Sequence, residues 1–99
     1  MKKGNAVIVR AYSGVFFGYL TSKKGNSVEL SDARQIYSWD SAGLDEKSNT
    51  CPDIAARGLG SGSKVSSPAP KAIVESVGAI FFATPTAVKI INAQKWGSR

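Results

Sequence analysis

Short apolar runs separated by small polar turn residues dominate the first forty residues of the chain. Four such runs, residues 7–12, 15–22, 27–30 and 33–40, are rich in β-branched and aromatic side chains. Runs of this length that are bounded by Gly, Asn, Asp and Ser are typical of strands joined by tight turns. The pattern therefore predicts an antiparallel meander over residues 7–40.

A few positions in this meander carry additional information. Gly18 in mid-strand predicts a bulge or the close approach of another backbone. Arg10 interrupts an apolar strand, which places its side chain either at a rim or facing a ligand site. Tyr37 and Trp39 share one face of the last strand, and aromatic residues that carry a polar atom are common where a surface meets a partner.

The chain changes character after the meander. Residues 41–63 are rich in Gly, Ser and Asp, and they predict a long loop that contains one short helix, residues 52–57. Pro52 suits the first turn of this helix, and Gly58 or Gly60 can end it.

The glycine-rich end of this loop, residues 58–63, is followed by Lys64 and resembles a phosphate-binding loop. The resemblance is weak because no predicted strand precedes the loop and no predicted helix follows it. A plain flexible loop is the alternative.

Short strands are predicted next. Residues 64–67 suit a short strand, and Pro68 and Pro70 exclude a central position in a sheet. The most hydrophobic short run, residues 79–83, predicts a buried strand, with Gly78 before it as a break or a bulge.

Thr84 and Pro85 are typical of a helix start, so residues 86–93 should be helical and lead into a basic tail that carries Trp96. We expect Trp96 to dock on the domain or on a neighbouring subunit. Together the elements predict one domain over residues 1–99, mainly β with α+β character. The meander (7–40) lies in a small barrel or sandwich, the loop with its helix (41–63) follows, and strands with a C-terminal helix (64–99) complete it.

The amino-acid composition limits the kinds of catalytic and metal-binding site that the chain can form. The chain has no histidine and one cysteine, so it lacks the commonest general base and the commonest metal ligand. Its seven acidic residues are scattered, which leaves no ligand set for a structural zinc ion. Cys51 lies in a loop with acids around it, which disfavours a thiolate. We therefore expect a protein that acts without catalysis, cofactor or metal.

The net charge of +6 is unevenly spread along the chain. Residues 1–28 carry five basic and no acidic side chains, residues 29–53 carry six acidic against two basic, and residues 54–99 carry six basic against one acidic. A basic protein with an acidic middle fits an anionic partner or charge-complementary self-association. A soluble protein with an ordinary basic surface is the plainer alternative.

The expected location is the cytosol. No apolar run approaches the roughly 18 to 20 residues that a membrane span needs. Arg10 and Tyr12 interrupt the apolar stretch after the basic start of the chain, and no small-residue cleavage site is evident, which argues against a secretory signal. A single cysteine also cannot form an intrachain disulfide. We expect no membrane association.

Residues 7–39 resemble a known family. The run VIVRAYSGVFFGYL (7–20) is followed by Gly25, Val28 and Leu30 and then by ARQIYSW (33–39). With the later apolar strand, the Thr-Pro helix start and the terminal tryptophan, these features resemble a family of small uncharacterised proteins encoded by bacteriophages and prophages. The resemblance implies a phage origin and a small β-rich domain. It implies action in the cytoplasm of the infected bacterium, with the virion as an alternative location.

By analogy, the chain is similar in size, basic charge and lack of catalytic groups to phage sponges that sequester nucleotide signals of bacterial defence, such as the anti-Thoeris and anti-CBASS proteins. Those proteins are oligomers that bind anionic cyclic nucleotides without catalysis. Such a ligand needs cations for its phosphates and flat side chains for its bases. The candidate residues are Arg10, Tyr12, Arg34, Trp39 and Arg57, and ordinary surface, core or interface positions are the alternative for each.

Two other functions stay open. Aromatic residues on a basic sheet would suit nucleic acid, although the basic residues are dispersed along the chain. A strand-rich fold with an aromatic tail also suits a homo-oligomer with a structural or protein-binding role, as a virion accessory or an inhibitor of a host protein. The expected partners are therefore a small anionic nucleotide and further copies of the chain, with nucleic acid as the alternative.

Overall fold

A computed structural model of the chain describes residues 4–96. The elements are β1 (Ala6–Ala11), β2 (Gly14–Lys24), β3 (Ser27–Ser38), α1 (Cys51–Arg57), β4 (Lys64–Val65), β5 (Ala69–Val74), β6 (Val77–Phe82) and α2 (Pro85–Ala93). The predicted mainly β fold, with one central and one C-terminal helix, is confirmed. The outer parts of the two predicted basic tails, residues 1–3 and 97–99, lie outside the described residues.

The strands form one antiparallel sheet in the order β4-β3-β2-β1-β6, and β5 also pairs with β3. One edge of β3 pairs with β2 along most of the length of β3. β3 divides its other edge between β5, which pairs over residues 28–33, and β4, which pairs over residues 36–38. The long third strand therefore pairs with three other strands, β2, β4 and β5.

The structure corrects one prediction in this region. Residues 27–30 and 33–40 were expected to form two strands with a turn between them, but β3 is a single strand, Ser27–Ser38. Asp32 has a φ of 48°, which is uncommon for a residue other than glycine. The polar pair Ser31-Asp32 thus marks a local bend, close to where the partner of β3 changes from β5 to β4.

One face of the sheet curls around a cluster of buried side chains that we call the inner cluster. Its members come from β1, β3 and β5: Val7, Val9, Val28, Leu30, Ala33 and Val74. β1 and β5 are separated by two strands in the sheet, so they can share a cluster only if the sheet is strongly curved. The six strands therefore form one strongly curved antiparallel sheet, in which no strand pairing among residues 4–96 joins β6 to the opposite end.

Gly18 lies at an irregularity in the pairing of β2 with β3, and a bulge was one of its two predicted roles. The register between β2 and β3 shifts next to it, and a Cβ atom at Gly18 would lie 2.9 Å from the Cβ atom of Leu30. Any larger residue at this position would collide with the inner cluster.

The two helices cover part of the other face and enclose the helix-side cluster. This cluster consists of Ile8, Phe17, Ile36, Cys51, Ile54, Ala55, Leu59, Val65 and Ile91. Ile54 of α1 and Ile91 of α2 are completely buried, and burial of each such side chain contributes about 1.5–3 kcal/mol. Thr84 accepts a hydrogen bond from the Ala87 N–H (3.1 Å) at the start of α2, which confirms the predicted helix start.

β6 is less buried than the apolar pattern predicted. It pairs with β1 at the end of the sheet, and the Phe82 side chain is 66% exposed. Gly78 forms a bulge, because Arg10 pairs with Ala79 whereas Ala11 pairs with Val77. The bulge was one of the two predicted roles of this glycine.

Candidate functional site

The fold does not bring the five predicted ligand residues together. Arg10 and Tyr12 lie at the exposed end of β1, and Tyr12 is 95% exposed. Trp39 is half-buried and packs against the helix-side cluster. Arg34 and Arg57 line two different clefts. The five residues therefore do not form a single site.

Arg34 is held by main-chain carbonyl groups. Its side chain is buried between β3, the segment after β4 and the end of α2. Nε donates to the Ser66 carbonyl (2.7 Å), Nη1 donates to the Ile91 carbonyl (2.6 Å), and Nη2 donates to the Gln94 carbonyl. Three of the five N–H groups of the guanidinium are thus used to join three parts of the chain.

The charge of Arg34 has no carboxylate counterpart among residues 4–96. Burial lowers the pKa of the Arg34 guanidinium, but arginine remains protonated at neutral pH because its ordinary pKa is so high. The carbonyl groups at the end of α2 carry the negative end of the helix dipole and stabilise the cation there. The site therefore keeps a net positive charge.

Arg34 contributes to the wall of a cleft of about 530 Å³, which we call the Trp96 cleft. The cleft lies between the segment that begins at β4 and the segment that ends α2. Its lining residues are Arg34, Val65, Ser66, Ser67, Pro68, Asn92, Gln94, Lys95 and Trp96.

An aromatic pair stands at this cleft. The ring centroids of Tyr37 and Trp96 are 5.6 Å apart, with 33° between the ring planes. The Lys64 ammonium lies 5.4 Å from the centroid of the Trp96 ring, within the range of a cation–π interaction. Tyr37 is 70% exposed and Trp96 is 57% exposed, so both rings remain accessible to a ligand.

Gln94 fixes one wall of the Trp96 cleft. Its side chain is buried, and Nε2 donates to the carbonyl groups of Ser63 (2.7 Å) and Ser61 (3.1 Å). Its Oε1 accepts no hydrogen bond from any residue between 4 and 96. Together with Arg34, this amide ties the end of α2 to the loop that precedes β4.

Arg57 lines a second cleft, of about 570 Å³, which we call the Arg57 cleft. Here the guanidinium is neutralised by carboxylates: Nη1 lies 3.1 Å from Asp53 Oδ1, and Nη2 lies 3.4 Å from Glu46 Oε2. It also donates to the Lys47 carbonyl (2.8 Å). Asp45 and Glu46 belong to the lining, so this cleft is unsuited to an anion.

The glycine-rich loop, residues 58–63, holds a carboxylate of the chain itself. Asp40 Oδ1 accepts hydrogen bonds from the Gly62 N–H (3.3 Å) and the Ala42 N–H (3.2 Å). A Cβ atom at either Gly60 or Gly62 would collide with the Asp40 side chain. The glycines are therefore needed for close packing around Asp40, and the plain-loop alternative describes this segment better than the phosphate loop.

The structure shows a buried cysteine and, in the part of the chain that it describes, no cluster of metal ligands. Cys51 is buried, and burial raises the pKa of its thiol, with an opposing but smaller effect from the charge of Arg10. No three His, Cys, Asp or Glu side chains among residues 4–96 are grouped as metal ligands. Within the same residues, neither helix has the length and apolar content to cross a bilayer.

The cleft depends on residues that sequence analysis did not place in a site. Tyr37 was identified as a surface aromatic, Trp96 as a docking residue, and Lys64 only as the residue after the glycine-rich loop. Their association arises because β4 pairs with β3, which sets Lys64 opposite Ser38, next to Tyr37. A pairing between strands so far apart in the chain leaves no local signal in the sequence.

The family model of a domain of unknown function, DUF6948, matches residues 4–91 of the chain. The match includes Arg34, Tyr37 and Lys64 but ends before Lys95 and Trp96. No curated protein and no solved structure matches the chain.

Proposed function

We propose that this chain, which belongs to the DUF6948 family of domains of unknown function, acts by binding an anionic ligand that carries a planar ring. The ligand class that fits best is a nucleotide, and the site is the Trp96 cleft. The observation that carries the proposal is the pair of exposed rings, Tyr37 and Trp96, beside a cleft that contains a buried arginine without a carboxylate partner among residues 4–96.

The rings supply the first half of the recognition. A nucleobase can stack on either Tyr37 or Trp96, because each ring is more than half exposed and the tilted pair leaves part of both faces open. Stacking of one base on an aromatic side chain contributes about 1–3 kcal/mol and tolerates every base.

The cations supply the second half. Lys64 and Lys95 flank Trp96, and no carboxylate among residues 4–96 forms an ion pair with either lysine. Arg34 adds a fixed positive charge in the cleft wall. Phosphate oxygens that enter between these groups would replace water around charges that the protein has already positioned.

The biological setting follows from the resemblance of residues 7–39 to proteins of bacteriophages and prophages. In that setting the protein would act in the cytoplasm of an infected bacterium, and its ligand would be a nucleotide signal of host defence. Binding without turnover would be enough to remove the signal.

The test is a binding titration of the full chain with defined probes. Native mass spectrometry screens a cyclic dinucleotide, a mononucleotide and an oligothymidylate, and isothermal calorimetry then measures affinity for any that bind. We expect Trp96→Ala to weaken binding roughly ten- to hundredfold because a stacking face is lost. Lys64→Gln should weaken it by about threefold to tenfold.

Two matched variants serve as controls. Tyr12→Ala removes a ring that is even more exposed than that of Trp96, and Lys89→Gln removes an exposed cation from α2. Neither residue lines the Trp96 cleft. Both should bind the probe as the parent chain does. Absence of binding to every probe, or equal losses in Tyr12→Ala and Trp96→Ala, would refute the proposal. Binding of the oligothymidylate alone, with an affinity that falls steeply with salt, would assign the site to nucleic acid instead.

A further inference from the structure

One buried amide in the wall of the Trp96 cleft has an oxygen without a hydrogen-bond donor. The Gln94 side chain is 1% exposed, and its Oε1 accepts no hydrogen bond from residues 4–96. Buried side-chain oxygens in folded proteins nearly always have a donor, because an unsatisfied acceptor retains the full cost of leaving water. An oxygen of this kind in the wall of a cleft is a candidate acceptor for a donor that a ligand supplies.

The hydrogen bonds of Gln94 fix which end of its amide is the oxygen. Nε2 lies 2.7 Å from the Ser63 carbonyl oxygen and 3.1 Å from those of Ser61 and Lys95. A flipped amide would set its oxygen against three other oxygens, so this end is the NH2 group. Ser61 and Ser63 do not line the Trp96 cleft, whereas Gln94 does. The nitrogen end thus faces the loop before β4, and the oxygen end remains for the cleft.

Hydrogen-bond donors belong to the same part of the wall. Arg34 lines the cleft, and its Nη2 donates to the main-chain carbonyl of Gln94. The guanidinium uses one N–H group of each terminal nitrogen, Nη1 toward Ile91 and Nη2 toward Gln94. One N–H group on each of these nitrogens is left without an acceptor among residues 4–96. This part of the wall therefore offers both an acceptor and a donor.

We propose that Gln94 and Arg34 select the base of the nucleotide: Gln94 Oε1 accepts a hydrogen bond from an exocyclic amino group, and Arg34 donates one to the ring nitrogen beside it. This inference rests on the proposed function of the Trp96 cleft and names the class of base. Adenine and cytosine carry an amino group next to an unprotonated ring nitrogen, whereas hypoxanthine and uracil carry an oxygen next to a ring N–H. The first two bases are complementary to the wall, and the last two present the reverse pattern.

The depth of the oxygen favours an amino group over a ring N–H. Gln94 Oε1 has almost no accessible surface, so it lies just beneath the surface of the cleft. An amino group projects from its ring by one bond, whereas a ring N–H group lies on the perimeter of the ring. The neighbouring lining residues Lys95 and Trp96 are exposed, so their side chains can shift to admit the amino group.

The first experiment compares pairs of nucleotides on the parent chain by isothermal calorimetry. Adenosine monophosphate is compared with inosine monophosphate, and cytidine monophosphate with uridine monophosphate. The members of each pair have nearly the same size and charge and differ at the two positions that the wall contacts. We expect the amino member to bind at least about tenfold more tightly, because the oxo member sets an oxygen against Gln94 Oε1.

Two results of this comparison would overturn the proposal. Equal affinities within the pairs would mean that the wall does not distinguish the bases, and they would leave the ligand proposal intact. Failure of all four nucleotides to bind would overturn the base selection as well, and the wider screen of probes would then decide the ligand proposal.

The second experiment separates recognition by Gln94 from a structural role. Gln94→Met removes the amide from a side chain of similar length, so the preference for the amino member should fall to about twofold or less. A purely structural role would weaken both members of a pair by the same factor and leave the preference unchanged.

Asn92→Ala is the control for Gln94→Met. Asn92 carries a second side-chain amide in the cleft lining, and its Nδ2 donates to the Tyr19 hydroxyl (3.1 Å). The preference for the amino member should stay at the parent value in this variant. A preference that survives in Gln94→Met, or that disappears in Asn92→Ala, would overturn the proposal. If Gln94→Met does not fold, the nucleotide pairs on the parent chain decide the matter.

Discussion

The two clefts beside α2 have nearly the same volume, about 530 and 570 Å³, and each contains an arginine, yet their chemistry is opposite. Arg57 is paired with the carboxylates of Asp53 and Glu46, so its cleft has little positive charge to offer. Arg34 is bound to neutral carbonyl groups, so its charge remains. The identity of an arginine's partners, and not its presence, decides whether a cleft suits an anion.

Among the substitutions that test this difference between the two arginines, Arg34→Met should have the largest effect. The substitution removes the guanidinium donors from the carbonyl groups of Ser66, Ile91 and Gln94, of which the Ile91 carbonyl still accepts the Gln94 N–H (3.1 Å). We expect a loss of roughly 3–5 kcal/mol in the free energy of unfolding. Urea denaturation measures it. Arg57→Met is the matched variant: its partners can turn to water, so its loss should stay near 1 kcal/mol or less. Equal losses in the two variants would show that the carbonyl cage around Arg34 contributes no more than a surface ion pair.

A second substitution tests whether the loop before β4 supports the wall of the Trp96 cleft. Gly60→Ala places a Cβ atom against the main chain at Ala42 and against the Asp40 side chain, in the loop whose Ser61 and Ser63 carbonyls hold Gln94. We expect about 2–4 kcal/mol of destabilisation, measured by thermal unfolding.

Gly78→Ala is the control for Gly60→Ala. The nearest atom to its Cβ would be the Arg10 carbonyl oxygen at 3.6 Å, an ordinary contact, so a change within about 1 kcal/mol is expected. A Gly60→Ala protein as stable as Gly78→Ala would mean that the loop relaxes around the new methyl group and does not brace the cleft wall.

The smallest expected effect is on the stability of the fold at acidic pH, and it involves Asp53, the ion-pair partner of Arg57. The pKa of Asp53 is lowered, mainly by the hydrogen bond from the Asn49 N–H and then by those from the Thr50 hydroxyl and N–H, with a smaller effect from Arg57. A carboxyl whose pKa is lower in the folded state stabilises the fold at a pH above its unfolded pKa. That contribution disappears as the pH falls through the folded pKa.

Stability curves measured in urea from neutral to acidic pH check this expectation. Asp53→Asn should reduce the loss of stability on acidification, whereas Lys71→Gln, which removes an exposed ion-pair partner of Glu29, should leave the acidic limb nearly unchanged. If Asp53→Asn and the parent chain lose stability in parallel as the pH falls, Asp53 does not contribute to the acid sensitivity of the fold.

Local patterns predicted most of the fold and little of the site. Alternation located the strands, and a Thr-Pro pair located α2, because these signals act within one element. Arg34 and Ile36 are two residues apart in β3, so they share one face of the strand, and both side chains are buried. The exposure of Phe82 could not be read in this way, since an apolar run looks the same in a central strand and in an edge strand. The pair Tyr37–Trp96 depends on tertiary pairing and has no local pattern.

The carbonyl cage around Arg34 has a thermodynamic consequence for any ligand of the Trp96 cleft. Because one guanidinium joins β3, the segment after β4 and the last turn of α2, the residues before Trp96 are held in place before a ligand arrives. A site on an untethered tail would lose conformational entropy on binding, at about 0.5–1.5 kcal/mol for each side chain that becomes ordered. Here much of that ordering accompanies folding, so the cleft is preorganised.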